Sequence, residues 1–462
     1  MKPFLKRVAK KLVQQSIGRI PPSSSRLTGK LAQDGGTPVR NTRLRPWANY
    51  HSNNLLLWLI KLRPVFRGIY LSGSEGAPQT LAKKFAQQWA EYCACRYGLL
   101  LPHGTDALRI ALAAALDQDG LEYGGEVIVP NLSFIATANA ALDRRFGLVF
   151  VDVDPQTLLI DPQRVEEAII PGKTRAIMPV HLFGQPANMT ALRDIARRYD
   201  LKIIEDAAQA HGAAWQSAPV GSLGDAAGFS FQSFKNLTCG EGGALTTNDE
   251  QIFERAYSLH NVGRSRIREG RWEHFALGWN CRPTEYQAAL LIERFRTFEQ
   301  QQKRRRRNFQ LLTEMLADVP CVEPLTVNRG VTRHGMHMFV MRYKREHCDG
   351  LSLEEFLRVC GAEGLSLYRG YNCTMAEQPV IQDLMARHED YFRVMPTPVA
   401  EQATREMIYI PQNVFLGNES DMSDIAAAFR KVQKHYAAQA KSARSNGFIA
   451  PEHSAPQRVR LG

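Results

Sequence analysis

From about residue 82 the chain alternates short aliphatic runs with segments whose apolar positions recur every three or four residues. Helical spacing is predicted for Leu81 to Tyr92, Thr105 to Leu116, Ser133 to Leu142, residues 162–170, and Met189 to Tyr199 with Asn188 as its cap. Strands are predicted at Glu126 to Pro130, Leu148 to Val153, Ala176 to Val180 and Leu201 to Glu205. Apolar strands alternating with helices specify a mostly parallel sheet covered on both faces. Such sheets take their ligands at the carboxyl ends of the strands. After about residue 290 the texture changes to long helices and isolated strands, beginning with a helix over 285–317. Its Lys303 to Arg307 run reads as a solvated helix face rather than an anion site.

The two ends have a different character. Residues 1–20 place Phe4, Leu5, Val8, Leu12, Val13 and Ile17 among Lys and Arg, a helix-like pattern with a basic face. The segment reads as a basic extension in preference to a membrane-surface helix or a transit peptide. No uninterrupted apolar stretch follows the charges, as a secretory signal requires. Pro21-Pro22-Ser23-Ser24-Ser25 reads as a linker, and the Ala/Ser/Pro-rich tail after about 440 as disordered.

Charge follows this division. The formal net charge of the 462 residues is +12, but residues 1–46 contribute +10 and residues 431–462 contribute +5. The middle is therefore −3, which argues against a nucleic-acid-binding core. The eight cysteines form no CxxC pair and no zinc-like spacing, and scattered thiols fit a reducing cytoplasm. No apolar run reaches the ~18–20 residues that span a membrane.

Four pieces carry chemistry. His103-Gly104-Thr105 opens a helix, where free amides favour an anion and a glycine allows close approach. Alone, this is equally a plain N-cap. Glu205-Asp206-Ala-Ala-Gln209-Ala-His211 follows a buried strand, so Asp206 points into the ligand crevice. Gly228 to Asn236 reads as another strand ending in a single lysine, Lys235, among aromatic and small residues. In such surroundings an amine pKa can fall and a Schiff base can form. Gly240-Glu-Gly-Gly243 then turns tightly beside that lysine. A phosphate cradle, a ring cover, an acid for a pyridine nitrogen and a Schiff-base lysine together describe a pyridoxal 5′-phosphate site. Asp206 precedes Lys235 by 29 residues, room for one turn and a strand.

With these motifs the sequence resembles the DegT/StrS-type sugar aminotransferases, pyridoxal phosphate enzymes of fold type I, from about Gly35 to Ala438. The resemblance is carried by GTDAL, VIVPNLSFIATANAAL, VDVDPQTLLIDP, PVHLFGQPANM, IIEDAAQAHGA, FSFQSFKNLTCGEGG and NCRPTEYQAA in that order. It implies that Lys235 binds the cofactor covalently and then moves the proton of the donor α-carbon. Asp206 would pair with the pyridinium nitrogen, Phe134 would stack on the ring, and Gln209 would contact the ring face or its 3-oxygen. Gly104, Thr105 and Ser230 would hold the phosphate. Asn280 would reach the phosphate in the partner subunit, implying a homodimer with shared active sites. A weaker match, His337, would lie near the sugar. His103, Asn188, Cys281 and Pro283 depart from the family pattern, which bears on substrate contacts more than on the cofactor. Lys235 argues against the branch that carries histidine there and dehydrates.

The implied reaction takes an amino group from glutamate or glutamine to a keto sugar, usually nucleotide-linked, or to a keto-cyclitol. TREMIYIPQNVFLGNESDM looks closer to the cyclitol branch. A non-catalytic cofactor- or sugar-binding relative is the alternative. The expected fold is α/β, with a basic extension and linker over 1–46, a large cofactor domain over 47–290, a smaller α+β domain over 291–440 and a tail over 441–462. No metal, nucleic acid or membrane partner is expected, and the location is expected to be cytoplasmic.

Overall fold

In the computed structural model, residues 30–42, 80–267 and 273–445 are described. The basic pattern over 1–20, the linker after it and the tail beyond 445 lie outside them. The chain folds into an α/β architecture with a large, mostly parallel sheet. Its first seven strands are β1 (Tyr97–Leu101), β2 (Glu126–Pro130), β3 (Gly147–Val151), β4 (Thr174–Ile177), β5 (Lys202–Asp206), β6 (Ala226–Ser230) and β7 (Gly243–Thr247). A four-stranded sheet follows, made of β8 (Val322–Pro324), β9 (Met338–Tyr343), β10 (Tyr368–Arg369) and β12 (Met407–Pro411). Between these last two in the sequence, β11 (Phe392–Val394) returns to the large sheet and pairs in parallel with β3. The large sheet then runs β1-β7-β6-β5-β4-β2-β3-β11, with only the β1–β7 and β7–β6 pairs antiparallel.

The sheet is buried on both faces because successive residues of each strand serve opposite cores. Ile128, Val149, Val151, Ile177 and Ile203 pack to one side, and Val127, Val129, Leu148, Phe150 and Ile204 to the other. Helix α1 (Leu81–Tyr92) closes the first side with Phe85 and Trp89. Helix α2 (Gly104–Leu116) is apolar on nearly every face, since it lies between the sheet and its neighbouring helices. Helix α3 (Ala136–Leu142) begins three residues later than the expected Ser133, leaving Ser133 and Phe134 in a loop.

The boundary expected at 290 falls inside helix α4 (Glu285–Met315), which bridges both parts. Its start is set by a Thr284–Gln287 capping box, and Glu285 accepts bonds from the amides of Leu81 and Ala82, capping α1. The Lys303 to Arg307 run is not uniformly solvated: Lys303, Arg304 and Arg307 are exposed, but Arg305 is 0% exposed. One turn of helix covers all directions in under four residues, so a five-residue basic run must point one member inward.

Two terminal expectations also change. Residues 31–42 are packed on the C-terminal core, where Leu31 and Val39 are buried beside Phe356 and Val432. Glu363 accepts the amides of Ala32 and Val39 and pairs with Lys431 at 2.9 Å, while Arg40 pairs with Asp421 and Asp424. Helix α5 (Glu419–Ser445) continues past 440 into the expected tail.

Candidate active site

The strands β5 and β6 are neighbours with Asp206 opposite Gly228, so Asp206 and Ser230 emerge from the same end of the sheet. β7 places Gly243 beside Ser230. The chain leaving β1 then starts α2 against these ends. A Cβ on Gly104 would lie 2.6 Å from Ser230 Cβ, and one on Gly243 would lie 2.2 Å from His103 O. Only glycine permits this approach of a helix N-terminus to the strand ends. The first turn of such a helix points amides outward with no intrahelical acceptor.

A cavity of about 1040 Å³ opens there. Gly104, Thr105, Phe134, Asp206, Gln209, Ser230, Lys235 and His337 all line it. Asn280 does not; it is exposed, on a segment bridged to Asn261. Lys235 is not at a strand end, because β6 stops at Ser230. The chain turns there, and the Lys235 amide donates to Gln232 O at 2.9 Å.

Asp206 is buried, and its Oδ2 accepts a bond from Thr137 Oγ1 at 2.8 Å, itself 2.9 Å from Ser133 Oγ. Burial raises the Asp206 pKa, against the lowering effect of Thr137, the Ala208 amide, Lys235 and His181. Burial likewise pushes the Lys235 amine down to about 8, with Asp206 pulling it back up. Behind Asp206, buried Glu205 binds His181 at 2.9 Å and three loop amides, which fixes the strand end. His211 Nε2 is 2.7 Å from Ser230 O, and burial holds this imidazole at about 3, hence neutral. Gln209 accepts the Phe183 amide at 2.8 Å and reaches the Tyr371 hydroxyl at 3.4 Å. Phe134 keeps 61% of its surface exposed although it belongs to a tightly anchored loop. That anchor is Asn131, bonded to Thr397 and to the Ala376 amide.

A sequence model of this architecture matches residues 75–430 of the chain. The chain belongs to the DegT/DnrJ/EryC1/StrS aminotransferase family. It is 35% identical to L-glutamine:2-deoxy-scyllo-inosose aminotransferase of Streptomyces lividus over 430 residues, covering 88% of this chain and 98% of that one. It is 36% identical to L-glutamine:scyllo-inosose aminotransferase of Streptomyces griseus over 367 residues, covering 76% and 85%. Among solved structures, DesI in the presence of its TDP-sugar product superposes with a TM-score of 0.73 at 26% identity, covering 89% of this chain and 98% of that chain. The protein is thus a pyridoxal phosphate-dependent aminotransferase of fold type I.

The residues present in this DegT/DnrJ/EryC1/StrS aminotransferase fit that cofactor. The close Gly104–Ser230 approach makes an anion cradle, and the open phenyl of Phe134 offers an apolar ring face. Burial raises the Asp206 pKa, and a protonated ring nitrogen beside it would favour the carboxylate. The mouth of the cavity is formed by the second sheet: Tyr368 stacks on Tyr409 at 5.6 Å, and Met338, Val340, Tyr371 and Gln412 complete it. Sequence reasoning did not single out Thr137, Tyr371 or Gln412. Thr137 lies within a quoted motif, but nothing in one sequence pairs it with a carboxylate 69 residues away. Among the described residues no acidic, His or Cys group could hold a metal, and no helix is long and apolar enough to cross a membrane.

Proposed function

We propose that this aminotransferase moves the amino group of L-glutamine to a keto-cyclitol of the scyllo-inosose type. The observation that carries the chemistry is a lysine amine held near 8 in the same cavity as a buried carboxylate. The names of the relatives supply the donor and acceptor class. A mouth lined by Tyr368, Tyr371 and Tyr409 suits an uncharged polyol, offering hydroxyl partners around a ring. A nucleotide-linked keto sugar is the second reading, favoured by the likeness to DesI, solved with its TDP-sugar product.

Pyridoxal phosphate, when bound, supplies a carbonyl carbon for amine exchange and a ring that stores an electron pair. Lys235 would carry the cofactor at rest. Displaced by the donor amine, it would take the proton from the donor α-carbon and return it one step later as an acid. Its lowered pKa leaves a sizeable neutral fraction near neutral pH. Asp206, aimed by Thr137, would keep the ring nitrogen protonated. Gly104 and Thr105 amides with Ser230 would hold the phosphate, Phe134 would cover the ring, and Gln209 would bear on the ring face or its 3-oxygen. His337 would border the acceptor. Asn280, exposed and away from the cavity of its own chain, would serve the partner subunit's site in a homodimer in the cytoplasm.

Two experiments test this. Incubation with L-glutamine and scyllo-inosose, read by mass spectrometry, should give the aminocyclitol; turnover of a nucleotide-linked keto sugar alone would favour the second reading. Co-expressed Asn280→Ala and Lys235→Ala chains should regain activity, because a mixed dimer holds one intact site. No recovery in a verified mixed dimer would defeat site sharing.

A further inference from the structure

The turn that presents Lys235 has no sheet ladder to hold it, so its geometry must come from elsewhere. Its two flanking residues are held by two glutamines. Gln412 Nε2 donates to Phe234 O at 3.3 Å, and Asn236 Nδ2 lies 3.1 Å from Gln302 Oε1, 2.8 Å from Gly335 O and 3.0 Å from Met336 O. Asn236 Oδ1 in turn meets the cavity histidine, His337, at 3.1 Å. Both glutamines converge on Arg305. Its Nη1 donates to Gln302 Oε1 at 2.7 Å, and its Nε donates to Gln412 Oε1 at 3.0 Å.

An amide side chain can face either way, and only its partners decide which end is the oxygen. A guanidinium donates and never accepts, so both amide oxygens must face Arg305. That leaves Gln412 Nε2 for Phe234 O, and Gln302 Nε2 for His211 O and Gly335 O, each at 2.8 Å. Were Gln412 reversed, its oxygen would oppose the Phe234 carbonyl. Arg305 is fully buried, and desolvating a guanidinium is costly where an apolar side chain would pack as well.

We propose that Arg305 is a positioning residue for Lys235, fixing the peptide before it through Gln412 and the Asn236 side chain after it through Gln302. It ties the lysine turn to α4 and to the end of β12, the strand that builds the cavity mouth. The inference rests on the reading of Lys235 as the cofactor-bearing lysine.

The test uses the holoenzyme in three variants, Arg305→Met, Gln412→Met and the double, with exposed Arg307→Met as control. Without donor present, the cofactor absorbance band is titrated with pH; the first-order rate of the glutamine half-reaction is then measured at saturation. Both single variants should shift the band's apparent pKa in the same direction and slow the half-reaction by about ten- to hundredfold, since sub-ångström misplacement has effects of that order. The double variant should be no worse than the more affected single variant, because the two act in one chain of contacts. Arg307→Met should match the wild type. An unchanged band and rate in folded Arg305→Met, or fully additive losses in the double, would overturn the proposal. If Arg305→Met does not fold, Gln412→Met decides, and an unchanged titration there overturns it. Borohydride reduction of the wild type separates the underlying reading: cofactor recovered on a peptide other than that of Lys235 removes the reading itself, whatever the variants do.

Discussion

The inner wall of the cavity and its mouth are built from different material. Inside, Asp206 and Ser230 sit at the ends of adjacent parallel strands, with Gly104 pressed against Ser230 and Glu205 bracing the strand from behind. At the mouth, Tyr368, Tyr371, Tyr409 and Gln412 come from a separate sheet and its loops. The inner groups are buried and held by short bonds, and two of them are carboxyl groups, so they suit steps where a proton or an electron pair moves. The outer tyrosines are partly exposed, so they suit recognition of a variable acceptor. On the proposed function, the rigid sheet fixes the chemistry, and the substrate range falls to elements that can vary without disturbing it.

Substitutions inside should strike catalysis in both half-reactions, and substitutions of the mouth tyrosines only one. The largest loss is expected for Lys235→Ala, on the order of 10³-fold or more in the glutamine half-reaction followed by absorbance. A residual rate within tenfold of wild type would break the comparison at its centre. Asp206→Asn should keep its place beside Thr137 but lose the charge, slowing both half-reactions by about 10²-fold in stopped-flow measurements. Gly104→Ala must displace Ser230, so equilibrium dialysis should show cofactor affinity lowered by about tenfold or more while the fold is retained. Tyr409→Phe at the mouth should raise the acceptor KM by about three- to tenfold and leave the glutamine half-reaction unchanged. If it slowed both half-reactions equally, the two walls would not divide the labour.

A further effect concerns stability rather than turnover. Burial holds His211 at about 3 and His260 at about 4 in the folded chain, against an ordinary value near 6.5. Below that value the unfolded chain takes up protons that the folded chain refuses. Stability should therefore fall as pH drops from about 6.5 toward about 4, by about 2 kcal/mol per histidine at pH 5. Urea melts of wild type and His260→Gln across that window would measure it; identical pH slopes would show that His260 does not contribute.

The two walls also differ in how far a single sequence reveals them. β5 with Asp206, the Gly104 helix start and the Lys235 turn are each contiguous in the chain, so local pattern exposed them. Even so, Lys235 lay in a turn five residues beyond its strand, because an aromatic-rich run reads as extended until its hydrogen bonds are seen. The mouth is assembled from residues 337–413, where His337 stood out and the segment holding Tyr409 and Gln412 was noted only as a whole; Tyr371 reaches Gln209 across 162 residues and carries no local signature. Arg305 was misplaced by composition, since a basic run does not say which member turns inward. Likewise, residues 31–42 fell within the 1–46 stretch read as a basic extension and linker, though their partners Glu363 and Asp421 lie more than 300 residues away.

One measurement bears most directly on the central claim. Purified protein would be mixed with L-glutamine in the absence of any acceptor, and the cofactor absorbance followed until it settled. The account predicts full conversion to the aminated form of the cofactor, release of one equivalent of the keto acid, and return of the original band on adding scyllo-inosose. A band that borohydride fixes at Lys235 but that neither glutamine nor glutamate moves would contradict it.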